Sequence, residues 1–205
     1  MIFIIFELVF FAVLLAGDLV SKHYVMPFLA SRVEDNYTYV AIKNVLTFEY
    51  SLNSGASLGI FSGKTGLLIG ITVVSMVLLF LAIVFFHFKK LHKDPKGRFL
   101  LCSLIMILSG GIANLYDRIA FDGFVRDFIQ YTFLEKIFGS SLFTCNVADI
   151  WVCLGVVFLL IYILFLYKEK KPEVCLEPAD DDEANVKDAL KMYDEHNEAN
   201  DKESK

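Results

Sequence analysis

Apolar residues along this chain gather in four long runs: Ile2–Val20, Gly66–Phe88, Phe99–Leu115 and Ile150–Tyr167. Each is long enough, at about 1.5 Å of helical rise per residue, to cross most or all of a hydrocarbon core about 30 Å thick. They predict four transmembrane helices over 2–22, 66–88, 99–117 and 150–168. The first run is the least clean, because it contains Glu7 and ends at Asp18. It has neither the basic flank nor the small-residue cleavage site of a secretory signal peptide, and it is read as a retained helix. Between the runs, Val45–Tyr50 and Val125–Phe133 are rich in β-branched and aromatic residues and predict short strands. The fold class is mainly α: an integral membrane four-helix bundle with a small β-sheet on its outer face, where sheet edges can be hydrated.

Composition supports a membrane body and separates a tail from it. Of the 205 residues, 56% are hydrophobic, against about 45–50% in an ordinary soluble domain. The net charge of −5 conceals an asymmetry: residues 173–205 hold twelve Asp/Glu and four Lys, a net of −8, which leaves the rest at +3. The chain therefore divides into a membrane-embedded part, 1–171, and an acidic tail, 172–205. The tail has too few large apolar residues to offset its chain entropy and reads as disordered, with a weak helical stripe at Val186, Leu190 and Tyr193. Lys89, Lys90, Lys93, Lys96 and Arg98 lie between the second and third runs, and Lys168, Lys170 and Lys171 follow the fourth. By the positive-inside rule that side is cytoplasmic, which puts both termini inside and loops 23–65 and 118–148 outside. The four cysteines have neither metal-ligand spacing nor a disulfide pattern.

Charge near hydrocarbon is costly and is a functional hypothesis by default. Asp127 lies in Val125-Arg126-Asp127-Phe128, and Asp149 directly precedes the fourth run. Taken singly, Asp149 could be a helix N-cap and Asp127 a loop acid paired with Arg126. Three further polar sets accompany them. Asp18 and Lys22 are four apart, on one helix face at the outer end of helix one, where a snorkelling Lys is the bland alternative. Asn53-Ser54-Gly55-Ala56-Ser57 forms a turn that brings backbone close to a neighbour. Gly110-Gly111-Ile112-Ala113-Asn114 continues to Asp117-Arg118; its small residues admit another backbone, and Asn114 and Arg118 share a face. Two carboxylates converging at a membrane surface suggest an aspartyl dyad.

The five sets, in this order, resemble the sequence boxes of lipoprotein signal peptidases (signal peptidase II). Residues 1–170 carry the resemblance, through Asp18…Lys22, Asn53…Ser57, Gly110…Arg118, Val125…Phe128 and Asn146…Asp149. Two positions depart from the family's habit: Ala113 stands where Gly often precedes the Asn, and Cys145 where Phe often precedes the fifth box. The resemblance implies an intramembrane aspartic endopeptidase that removes signal peptides from diacylglyceryl-modified prolipoproteins, cutting before the lipidated cysteine. It implies that Asp127 and Asp149 are catalytic, that Asn53, Gly55, Asn114, Arg118 and Asn146 surround the substrate, and that Asp18, Lys22 and Gly110 support the site. It implies globomycin-type inhibitors and membrane lipid as partners, a monomer, no nucleic acid, no metal and no cofactor. Other readings are a proton-relaying transporter subunit, which predicts acids near the bilayer midplane, and an assembly factor whose acids are only caps and ion pairs. A presenilin-type protease would need a G-x-G-D sequence that the chain lacks.

Overall fold

The computed structural model describes residues 2–55, 65–138, 144–167 and 190–193. The helices are α1 (Ile2–Ala30), α2 (Thr65–Phe88), α3 (Pro95–Ala120), α4 (Thr132–Phe138) and α5 (Val147–Ile161), the last continued by a π-helical turn, Tyr162–Leu166. The strands are β1 (Thr38–Ile42), β2 (Leu46–Asn53), β3 (Val125–Gln130) and β4 (Thr144–Cys145). Four of the helices are long and apolar enough to cross a membrane, which makes the chain a multi-pass membrane protein. Residues 1–168 form one unit and 169–205 another. Within the second, residues 190–193 make one helical turn with Leu190, Met192 and Tyr193 exposed; the rest of the tail, Val186 included, lies outside the described residues.

Helix α3 is the axis of the bundle. More than half of its most apolar stretch is buried by protein, whereas α1, α2 and α5 turn most of theirs outward. Its start follows from local chemistry: Asp94 caps it, accepting the Gly97 amide at 3.0 Å, and Pro95 fills a first-turn position that needs no N–H donor. Lipid cannot drive helices together through the hydrophobic effect, so close packing must do so. A Cβ on Gly155 would lie 2.7 Å from Ile107 Cγ1 and 2.8 Å from the Ser103 carbonyl. A Cβ on Gly110 would overlap the Ala148 carbonyl. These two glycines bring α3 and α5 into backbone contact.

The antiparallel sheet has the order β1-β2-β3-β4. Strand β3 lies inside it, paired with β2 on one side and β4 on the other, and all its residues except Arg126 are buried. Helix α1 runs eight residues past the predicted end at Lys22. Its last turns carry Met26 and Leu29, which pack against Phe128 and Ile129 of β3. This burial keeps 23–30 helical where a loop was expected, and it moves Asp18 from the end of the helix to its interior. The predicted strand Val125–Phe133 stops at Gln130, and Phe133 belongs to α4. The predicted third helix gains residues at both ends, and the fourth begins at Val147 rather than Ile150.

Candidate active site

Asp127 and Asp149 line one cavity of about 390 Å³. Asp127 comes from the interior strand β3 and Asp149 from the first turn of α5. Asn53, Gly55, Asn114 and Arg118 line the same cavity, so residues from β2, α3, β3 and α5 meet there.

Three asparagine side chains present their NH2 groups to the two carboxylates. Asn53 donates to Asp127 Oδ2 at 2.9 Å, and Asn146 donates to Asp127 Oδ1 at 2.6 Å. Asn114 donates to Asp149 Oδ1 at 2.8 Å. Each amide is oriented by what its oxygen accepts. Asn53 Oδ1 takes the Gly55 N–H at 3.0 Å, and Asn146 Oδ1 takes the Asp149 N–H at 3.1 Å. Asn114 Oδ1 accepts from Lys22 Nζ at 3.2 Å and from Asn146 Nδ2 at 3.0 Å. Turning any of these amides over would set a carbonyl oxygen against a carboxylate and lose the second bond.

Asn146, rather than Asp149, caps α5. The two form a capping box, in which the Asn146 side chain accepts from the Asp149 amide while Asp149 Oδ2 accepts the Asn146 N–H at 3.0 Å. Asp149 therefore sits three residues inside the helix, at its positive end.

Beneath this layer is a buried ion network. Lys22 Nζ lies 2.7 Å from Asp18 Oδ2 and 3.1 Å from Asp117 Oδ2, and all three side chains are fully buried. Asp18 Oδ1 also accepts the Ala148 N–H at 2.8 Å, tying α1 to the start of α5. The Asp18–Lys22 pair predicted from spacing is present, but as a buried support instead of a snorkelling pair at the interface. Arg126 does not pair with Asp127. It makes a bidentate contact with Asp117 Oδ1, through Nη2 at 2.7 Å and Nε at 3.3 Å, and its backbone N–H reaches Asp117 Oδ2 at 3.0 Å. Its guanidinium also lies 4.2 Å from the centroid of the Phe121 ring. Two acids and two bases balance, as burial of charge demands.

Asp117, which its spacing alone gave no role, joins both bases of this network. It holds Lys22, which holds Asn114 beside Asp149, and it pins the backbone immediately before Asp127. Its motif neighbours were visible, but neither partner is local: Lys22 lies on another helix and Arg126 across a turn. Cys145 and Cys153 also line the cavity. Burial, followed by the Asp149 and Asp127 charges, pushes the Cys145 thiol up to about 12, so it stays protonated and chemically quiet. Arg118 Nη1 donates to the Asn114 carbonyl at 3.3 Å, while its buried Nε has no hydrogen-bond partner among the described residues. Gly110 sets the approach of α5 described above. Ala56 and Ser57, also part of the second box, lie outside the described residues.

Burial, reinforced by the Asp149 charge, pushes the Asp127 carboxyl up to about 7, against the opposing pull of the Asn53 and Asn146 amides and of Lys22. Among the described residues no group of three or more His, Cys, Asp or Glu could hold a metal ion.

Comparison with known proteins places this arrangement. The family described as Signal peptidase (SPase) II matches residues 10–165. A lipoprotein signal peptidase of Clostridium novyi (strain NT) is 37% identical over 123 residues, covering 60% of this chain and 76% of that protein. One of Clostridioides difficile (strain 630) is 31% identical over 160 residues, covering 78% of this chain and 95% of that protein. A solved bacterial membrane enzyme has the same fold, with a TM-score of 0.59 and 24% identity over 80% of this chain and 93% of its own. The chain belongs to the signal peptidase II family, the membrane aspartic peptidases that remove signal peptides from prolipoproteins.

Proposed function

We propose that Asp127 and Asp149 cleave the signal peptide from diacylglyceryl-modified prolipoproteins, on the N-terminal side of the lipidated cysteine, by activating a water between them. The observation that carries this is the shared cavity, with both carboxylates joined through Asn146 and Asn114. Two neighbouring carboxyls in a buried site do not readily ionise together. With its carboxyl pushed up to about 7, Asp127 can carry the one proton that the reaction needs near neutrality. The ionised member takes a proton from water while the neutral member donates a hydrogen bond to the scissile carbonyl. Attack gives a tetrahedral intermediate; proton transfer to the leaving nitrogen then breaks the C–N bond.

Asn53, Asn114 and Asn146 hold the carboxylates in place, and Arg118 orients substrate. The unpartnered Arg118 Nε supports that role, because a donor without a partner is available to a peptide carbonyl. The same cavity is the expected seat of globomycin-type inhibitors. The basic residues between α2 and α3 support a cytoplasmic location for that end of the bundle and for both termini, with the dyad toward the outer face. A lipid-anchored substrate in the outer leaflet then presents its scissile bond at the depth of the cavity, and one protomer contains all the residues of the site.

The test is a gel-shift assay on lipidated prolipoprotein with purified Asp127→Asn and Asp149→Asn. Each should slow cleavage by about 10³-fold. Cleavage at the normal rate by either folded variant would overturn the mechanism.

A further inference from the structure

At the end of the bundle opposite the dyad, α1 and α2 both pack on α3 but barely on each other. They leave a cleft of about 640 Å³, walled by apolar residues such as Leu8, Phe11, Phe80 and Leu108. Its span along α1, from Ile4 to Phe11, is about 10 Å at 1.5 Å per residue, the reach of part of one acyl chain. That volume is within the range of ligand sites, about 300–1,000 Å³.

The polar side chains lining this cleft are Glu7, His87 and His92. Glu7 is 94% buried, with 6% of its surface exposed. His87 Nδ1 donates to the Ile83 carbonyl at 3.1 Å, and its Nε2 lies 2.9 Å from Glu7 Oε2. His87 therefore has both nitrogens engaged. The His92 ring stacks on it, with centroids 5.2 Å apart and planes 14° from parallel. Two buried atoms are left with neither a hydrogen bond nor an ion-pair contact among the described residues: Glu7 Oε1, which can only accept, and His92 Nδ1. A buried carboxylate oxygen left unpaired is costly, and in hydrocarbon no bulk water relieves it.

We propose that this cleft is a binding site for a membrane aminophospholipid, with an acyl chain along the apolar walls and a primary ammonium headgroup on Glu7. An ammonium carries three N–H donors and no acceptor, which suits Glu7 Oε1 and the lone pair of a neutral His92 Nδ1 together. A choline headgroup has the same charge and no N–H to give. Two cations follow the lining in sequence or ring contact and are left to meet the phosphate: Lys89, next to Phe88, and Arg98, whose guanidinium lies 5.9 Å from the ring centroid of Phe3, next to Ile4. Nothing in the peptidase mechanism uses Glu7, so this site is separate from catalysis.

The experiment is native mass spectrometry of the full chain in detergent, titrated with dioleoyl phosphatidylethanolamine, phosphatidylcholine or phosphatidylglycerol. The ethanolamine lipid should bind about tenfold more tightly than the choline lipid, as expected for one charge-assisted hydrogen bond. Glu7→Gln should remove that preference while leaving prolipoprotein cleavage at the wild-type rate. Leu8→Trp, which fills the cleft from its exposed side, should weaken retention of all three lipids. Equal binding of the first two lipids by the wild-type chain would overturn the proposal without recourse to any variant. So would tighter binding of phosphatidylglycerol, which would mean that phosphate, and not the ammonium group, is what is recognised. A preference that survives Glu7→Gln, or lipid retention unaffected by Leu8→Trp, would place the lipid elsewhere and also overturn it.

Discussion

The two ends of this bundle both bury carboxylates, and they treat them in opposite ways. At one end, Asp127 and Asp149 each receive a hydrogen bond on both oxygens, and the supporting acids Asp18 and Asp117 are met by Lys22, Arg126 and backbone amides. At the other, Glu7 has one oxygen facing His87 and one with no hydrogen-bond partner among the described residues. The difference follows from helix spacing. Gly110 and Gly155 let α3 and α5 approach until the Ala148 backbone amide and the Asn146 side-chain amide can reach carboxylates on other elements. Helices α1 and α2 have no such contact and leave a cleft. In a membrane, polar groups are satisfied by close packing or by a bound partner, because bulk water is not on offer.

The largest test of this contrast is at the dyad. Asp127→Asn and Asp149→Asn should each slow turnover about 10³-fold, yet Asp127→Asn should make the protein more stable in alkali. The native carboxyl titrates at about 7, above its ordinary value of about 3.9, so the folded state binds the proton more tightly than the unfolded state. Wild-type stability therefore falls as pH rises from about 4 to 7, and the amide variant lacks that loss. Melting curves at pH 5 and pH 8 should show the gain of Asp127→Asn growing with pH; a constant difference would refute this account of the charge. For the same reason, wild-type kcat/KM should decline as pH rises above about 7, when the shared proton leaves.

Next in size is Asp117→Ala. It leaves Lys22 and Arg126 short of their partner in a buried network, a loss on the order of 3–5 kcal/mol, and it should lower cleavage by misplacing Asn114 and the backbone before Asp127. Asp117→Asn retains one acceptor oxygen and should recover part of the thermal stability; no recovery would argue against a hydrogen-bonding role. Arg118→Ala should raise KM about tenfold with kcat little changed, since orientation of bound substrate is the assigned role. The smallest expected effect on cleavage belongs to Glu7→Gln, whose rate should match wild type. A large fall there would break the separation between the two ends.

Much of the site could be read along the sequence because its residues lie in short boxes. Asn146 and Asp149 even carry the three-residue spacing of a capping box, which would have identified Asn146 as the cap. What could not be read was set by contacts across the fold. Arg126 was adjacent to an obvious acid partner in Asp127, but β-strand neighbours point to opposite faces, and its side chain turns to Asp117. Helix α1 looked finished at Lys22 because charge interrupts its apolar run, while Phe128 and Ile129, which bury Met26 and Leu29, lie about a hundred positions away in the chain. The pairing of Glu7 with His87 has no local signal at all.

The three asparagines around the dyad carry a further consequence. A carboxamide donates hydrogen bonds but does not gain or lose charge at physiological pH. A shell built from amides is therefore electrically silent: it keeps its geometry and its charge while the acids inside it change theirs. Under the proposed mechanism, every proton that moves during peptide cleavage travels between the two carboxyls, the attacking water and the substrate, and the asparagines form a non-conducting frame around a very small proton circuit.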